Sequence, residues 1–255
     1  VKEVEEDKYE WTKEGMAFGS NLIKALVNID STLNSSSNLT PPPSWVNGEK
    51  YLTEGQKKLA IQIKKVEKEI DTLNKNKVDL IEKKIEEQVL SHLLYESGKP
   101  LERAIIKALR ILGYKAEGFT EGDLEIDQVI NSPEKERFVA EAEGKDKTAI
   151  NIDKLRQLNG NIQEDVERDE VDEPASGILF GNGFRLTEPS KRGVQFTAKC
   201  LSTAEKFNSI LVQTSDLFVV AKYVHETGSL PYAKLCREQL SKSLGKIVEL
   251  SLIHI

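Results

Sequence analysis

Two acid-bearing stretches, Asp123-Leu-Glu-Ile-Asp127 and Glu141-Ala-Glu143-Gly-Lys145, carry the residue types in this chain best suited to chemistry. Each alternates polar with apolar residues, and residues two apart share a face of a strand. Asp123, Glu125 and Asp127 therefore line one face of the first stretch, and Glu141, Glu143 and Lys145 one face of the second. Leu124, Ile126, Phe138, Ala140 and Ala142 make the apolar face. Asn131-Ser-Pro-Glu-Lys-Glu136 between them reads as a turn, because Pro133 cannot continue a ladder. With Ile130 opposite Arg137, Asp123 falls opposite Gly144, flanked by Glu143 and Lys145. Carboxylates at this spacing repel and raise one another's pKa. A hard divalent cation such as Mg²⁺ removes that cost with oxygen ligands, and Asp123, Glu141 and Glu143 are the candidates to hold it. Lys145, beside such an ion, can position an attacking water and offset phosphate charge. The competing reading is a solvated acidic sheet face.

The elements that must position these residues follow from pattern. Leu101-Glu-Arg-Ala-Ile-Ile-Lys-Ala-Leu-Arg-Ile-Leu112 is strongly amphipathic, opened by Pro100 and closed by Gly113. Tyr114–Glu117 reads as a short strand, and a helix starts near Asp153 and runs to about Arg168. Ser176-Gly-Ile-Leu-Phe-Gly-Asn-Gly183 reads as a buried strand ending in a glycine turn, and Ile210-Leu-Val-Gln-Thr214 as another. A helix over Phe196–Phe207 separates them, Ser215 or Asp216 caps a helix to His225, and a helix at 232–243 and a strand at 247–253 end the chain.

Upstream, residues 1–50 form an arm with a helix near 12–32 and a polyproline-rich linker, Asn34–Pro43. From about Thr53, Leu59, Ile63, Val66, Ile70 and Leu73 step by four and three, flanked by Lys and Glu. Lys77 interrupts the step, Leu80 resumes it, and the seam then shifts through Ile81, Ile85 and Val89. This is a coiled-coil pattern; neither Gly nor Pro breaks it between Gly55 and Gly98, so one helix spans roughly 65 Å. The division is thus 1–50 arm and linker, 51–96 coiled-coil helix, 97–224 α/β domain and 225–255 helix/strand extension.

With 31% charged residues and net charge −6, the chain lacks the bulk cationic field of a general nucleic-acid binder, so such contact needs a local patch. Cys200 and Cys236, far apart, read as free thiols of a reducing cytoplasm. The three histidines are dispersed, and there is no phosphate-binding Gly-x-x-x-x-Gly-Lys-Ser/Thr loop. No run approaches a membrane span.

Over about residues 93–224 the element order resembles the PD-(D/E)xK, or restriction-endonuclease-like, nuclease superfamily. Leu93-Leu-Tyr-Glu-Ser-Gly-Lys-Pro-Leu-Glu102 is similar to its opening helix, Asp123 and Glu-Ala-Glu-Gly-Lys145 to its acidic hairpin, and Leu155-Arg-Gln-Leu158 to the helix that follows. The resemblance implies an α/β fold, a mixed sheet flanked by helices, here preceded by a long coiled-coil helix. It also implies Mg²⁺- or Mn²⁺-dependent phosphodiester hydrolysis, of DNA sooner than RNA, in a cytoplasmic protein that is the effector of a restriction or antiphage system.

In its terms Asp123 and Glu141, or Glu143, hold the ion with the Ala142 carbonyl, and Lys145 orients the water. Glu102 and Gln157 support them by hydrogen bonds or through water. Lys147, Lys154, Arg156, Lys191, Arg192 and Lys199 meet backbone phosphates, with Asn182 and Arg185 near the strand end. Two placements stay open. Either Glu143-Gly-Lys145 is the Glu-x-Lys, or Glu141-Ala-Glu143-Gly144 is, with Glu143 standing where relatives have lysine. Glycine commonly follows that lysine, which favours the second. The tyrosine that one branch shows four residues after the helix glutamine is Asn161 here. The alternative function is a nuclease fold that binds nucleic acid or scaffolds without cutting, and the coiled coil implies a homo-oligomer or a partner protein.

Overall fold

The computed structural model describes residues 2–5, 8–10, 12–35, 40, 42–121, 124–168, 171 and 174–250, and it divides into two compact units, Val1–Asn74 and Lys75–Ile255. Asp123 and the outer part of the strand expected at 247–253 lie outside the described residues.

In the first unit β1 (Lys2–Glu5) and β2 (Lys8–Glu10) pair antiparallel, with Lys2 opposite Glu10. Helix α1 (Lys13–Ser35) leaves Met16, Leu22, Ile23, Leu26 and Val27 exposed. Helix α2 (Glu54–Gln88) opens with a reciprocal cap: Gln56 N–H donates to Thr53 Oγ1 at 3.2 Å, and Thr53 N–H to Gln56 Oε1 at 2.8 Å. Its stripe Leu59, Ile63, Val66, Ile70, Leu73 is half or more exposed at every position. Among the described residues no helix is long and apolar enough to cross a membrane.

The second unit is an α/β layer structure. The long helix stops at Gln88, short of the expected Glu96, because Val89, Leu90 and Leu93 turn into the core through a 3₁₀ turn at Val89–Ser91 and a single turn, α3 (His92–Tyr95). Helix α4 (Gly98–Ile111) buries Leu101, Ala104, Ile105, Ala108 and Leu109, the one-face spacing of an amphipathic helix. It ends at Gly113, φ +92°, where Tyr114 N–H returns to the Leu109 carbonyl. β3 (Lys115–Glu121), β4 (Leu124–Asn131) and β5 (Arg137–Gly144) form an antiparallel meander, and α5 (Asp153–Val166) leads to β6 (Ser176–Asn182), parallel to β5. α6 (Ala198–Phe207), capped by Thr197, leads to β7 (Ile210–Gln213), parallel to β6. α7 (Thr214–Thr227) starts at once, ahead of the expected cap at Ser215 or Asp216, and α8 (Leu230–Ser241) is capped by Ser229.

The five-stranded mixed sheet has the order β3-β4-β5-β6-β7. One core lies under α4, α7 and α8, with Ile130, Phe138, Ala140, Ile178 and Phe180 from the sheet; the other lies under α5 and α6, with Val129, Val139, Leu179 and Leu211. Burial on both faces explains the unbroken apolar run of β6. The tail belongs to this unit: Tyr232, Cys236, Leu240, Val248 and Leu250 are buried in the first core, and among the described residues the expected last strand meets the sheet through a bridge from Ile247 to Leu211.

The expected register is corrected by one. Asn131, not Ile130, opposes Arg137, and Gln128 opposes Ala140. The turn closes tightly on Ser132, whose N–H reaches the Glu136 carbonyl at 2.8 Å, with Lys135 at φ +74°. A bulge follows: Glu117 pairs with Val129 and Phe119 with Ile126, so Asp127 and Gln128 together face Gly118. Strict alternation therefore fails on β4, and Ile126 packs with Val129 and Val139 rather than with Phe138 and Ala140.

Candidate active site

The bulge and register together bring Asp127, not a more distant acid, to Glu141. Asp127 is buried, and its Oδ2 accepts the Ala142 backbone N–H at 2.9 Å, taking the place of a β4 carbonyl where the ladder stops. Glu141, on a central strand with neighbours on both sides, is completely buried. Helix α5 clasps it: Lys154 Nζ lies 3.0 Å from Oε2, and Asn161 Nδ2 donates to Oε1 at 2.7 Å and to the Glu125 carbonyl at 3.0 Å. Leu155 and Leu158, buried on the same helix, hold that face to the sheet.

The electrostatics follow from this packing. Burial first, and Asp127 next to it second, raise Glu141 to about 7 against the pull of Lys154. Burial works against the charge of Lys154, but Glu141, Asp127 and Glu143 override it and hold its pKa up. Glu102, on the first turns of α4, is raised by burial and then by Asp127, with Lys99 at 3.1 Å opposing. A cavity of about 390 Å³ opens beside Asp127, lined by Lys99, Glu102, Phe119 and Glu125 among others. The larger cleft, about 680 Å³, lies at the other end of β5 and β6, around Arg137 and Ser176, away from the acid pair.

Gly144 ends the acidic strand for a steric reason. A Cβ there would sit 2.6 Å from Ser97 Cβ and 2.9 Å from the Glu96 carbonyl, so the α3–α4 turn lies directly on it. That turn is tied down through its carbonyls, which a helix end leaves without partners. Asn182 Nδ2 takes Glu96 at 2.9 Å, Arg185 Nη1 takes Tyr95 at 2.6 Å, and Arg192 Nη2 takes Leu94.

The expected site residues thus separate. Glu141, Asp127, Glu102 and Lys154 come together. Glu143 and Lys145 form their own pair at 2.6 Å, farther along the strand. Gln157 is exposed, and Asn161, one turn on, makes the contact expected of it. Arg192, expected at backbone phosphates, is here engaged as a staple. Its three nitrogens donate to Thr187, Asn182, Leu94 and Arg185, and its guanidinium is partly buried. Arg185 is likewise engaged, with Asp146 at 2.6 Å as well as Tyr95. Lys147, Arg156 and Lys191 are exposed, the last two beside Asp153 at 3.7 Å and Glu188 at 2.6 Å. The sequence placed Asp127 on the acidic face without singling it out, because the bulge that brings it to Glu141 leaves no mark in the pattern, and Asp123 lies outside the described residues. Among the described residues no group of three or more His, Cys, Asp or Glu side chains is disposed to hold a metal ion.

No family model and no curated protein matches the chain. Among solved structures it is similar to the restriction endonuclease FokI, at 10% identity and TM-score 0.43, and to FokI bound to DNA, at 12% and 0.42. Each likeness takes in 63% of this chain and 30% of the other.

Proposed function

We propose that the α/β unit is a metal-dependent phosphodiesterase of nucleic acid, with DNA the favoured substrate. The observation that carries the reading is Glu141, a completely buried carboxylate in the middle of β5, opposite Leu179 of β6, held against a second buried carboxylate, Asp127. A buried acid pair is costly on its own account, so a structural role alone gives it little reason to be there.

The donor set fits a hard cation in its chemistry: oxygen ligands, mutual repulsion that an ion relieves, and an open cavity beside Asp127. Asp127 and Glu141 would hold Mg²⁺ or Mn²⁺, with Glu102 in reach through water. Bound there, the ion supplies the charge that polarises a phosphoryl oxygen and acidifies a water. The chain's own residues do the rest. Asn161 fixes the Glu141 carboxylate, and Asp127, anchored by the Ala142 amide, keeps its second oxygen free of that bond. Lys147, on the loop before α5, and Arg156, on α5, are exposed cations that backbone phosphates can meet.

The test is cleavage of plasmid DNA and of a matched RNA with Mg²⁺ or Mn²⁺. Removing a partner of a metal ligand commonly costs 10–100-fold, so removing a ligand should cost at least about 100-fold. Asp127→Asn and Glu141→Gln should lose that much, while Asp123→Ala measures the share of the acid that heads the first stretch. Retardation of DNA without cleavage in any metal favours the binding or scaffolding alternative. The ion pair Lys154–Glu141 supports that alternative, since it already neutralises one acid.

A further inference from the structure

The acid pair has two lysines near it, and they are held differently. Lys145 follows directly after the acidic strand, is 39% exposed, and its ammonium lies 2.6 Å from Glu143 Oε1. Lys154 comes from the first turn of α5, is 26% exposed, and its ammonium lies 3.0 Å from Oε2 of Glu141, which has no exposure at all. Asn161, two turns along the same helix, holds the other oxygen of Glu141 at 2.7 Å. Buried Leu155 and Leu158 fix the helix between these contacts. The strand itself brings no cation to the pair, because residue 143, two along from Glu141, is a glutamate.

Phosphodiester hydrolysis needs a positive group held where charge develops. Water oxygen bonds to phosphorus and gives up a proton to solvent, the bond to the leaving oxygen breaks, and that oxygen takes a proton from solvent. Negative charge meanwhile builds on the phosphoryl oxygens, where a preplaced donor stabilises it most. We propose that Lys154 is the cationic side chain of this site, delivered from helix α5 to the acid pair that the strands leave without one, and that it contacts the scissile phosphate. The proposal rests on the hydrolase reading above. It assigns Lys145 to Glu143 and to the rim.

Three variants of the full chain test it: Lys154→Met, Lys154→Arg, and Lys154→Met combined with Glu143→Lys, which returns a lysine to the strand. Thermal melts first establish that each folds. With Mg²⁺ and plasmid DNA, Lys154→Met should lower kcat by about 100- to 1000-fold with KM for DNA changed far less. Lys154→Arg should keep part of the rate, and Glu143→Lys should recover at least about tenfold in the Met background. A second readout needs no turnover. Affinity for a labelled duplex is measured against salt with Ca²⁺ in place of Mg²⁺, and Lys154→Met should reduce the slope by about 0.9, one phosphate contact. A folded Lys154→Met that cleaves within about twofold of wild type and keeps the salt slope overturns the proposal. A wild type that cleaves with neither Mg²⁺ nor Mn²⁺ removes the hydrolase reading instead. The salt slope alone then decides whether Lys154 meets phosphate, and an unchanged slope overturns the contact.

Discussion

Glu141 is where a single side chain governs behaviour of the whole site. Its ordinary value of 4.5 rises to about 7 in the fold, through burial and then Asp127. Below 4.5 both folded and unfolded chains carry the proton, and this group costs the fold nothing. Between 4.5 and 7 only the unfolded chain ionises, so stability falls as pH rises, until both states are charged. Asp165 has the opposite sign. Burial would raise it, but hydrogen bonds from Arg137, at 2.5 and 2.9 Å, and from Arg168 lower it. Its contribution is present above the ordinary aspartate value and lost as pH falls, in a separate and more acid window. Urea unfolding at several pH values from about 5 to about 8 should show wild type losing stability with rising pH more steeply than Glu141→Gln. Parallel curves for the two would contradict the assignment. Saturating Mg²⁺ should flatten the wild-type curve and leave that of Glu141→Gln unmoved, because a cation bound at the pair displaces the proton.

At the scale of elements, the helices and the central strands could be read from sequence because one physical rule decided each. The apolar face of α4 and its closing Gly113, and the unbroken run of β6 between two helix layers, leave little choice of structure. The acidic hairpin followed two rules at once. Alternation fixed the faces of β5, but the turn at Ser132–Glu136 set the register, and the extra residue at Asp127–Gln128 broke the alternation of β4. Neither is written in a hydrophobic pattern, so Asp127 stood in the right stretch without being singled out. The Glu-x-Glu-Gly segment was legible as a motif, yet the role of its glycine is tertiary. Gly144 admits the Glu96–Ser97 turn, which Asn182, Arg185 and Arg192 hold from across the sheet, and no local pattern foretells those partners. Gly144→Ala should therefore destabilise the unit by about 1–3 kcal/mol, the range for an overpacked position without room to give. It should also loosen Lys99 and Glu102, which begin the next helix. Denaturant unfolding measures the first effect, and hydrogen exchange at 98–103 the second. An alanine variant as stable as wild type would show that the turn yields.

At the scale of the molecule, the exposed stripe of α2 is the feature a single chain leaves unresolved. Leu59, Ile63, Val66, Ile70 and Leu73 are each half or more exposed, on a helix with no buried residue. An isolated helix derives little stability from propensity, and an apolar stripe in water derives none from burial. The seam places β-branched Ile63 and Ile70 at one core position of the heptad and Leu59, Val66 and Leu73 at the other, the combination that favours two strands. Lys77 falls at the next core position, where a single polar residue restricts register at some cost in stability. A second copy of the chain therefore suits the stripe, and under the proposed function a dimer would carry two sites. Light scattering on a sizing column should give a dimer for the full chain, and Ile63→Asp with Ile70→Asp should give a monomer, with the melting of the α/β unit unchanged because these side chains are exposed. A wild-type monomer at about 10 µM, well above the dissociation constant expected of a specific seam, would refute the pairing. If the dimer forms, the monomeric variant should still nick one strand but lose double-strand cutting, which separates what the acid pair does from what assembly adds.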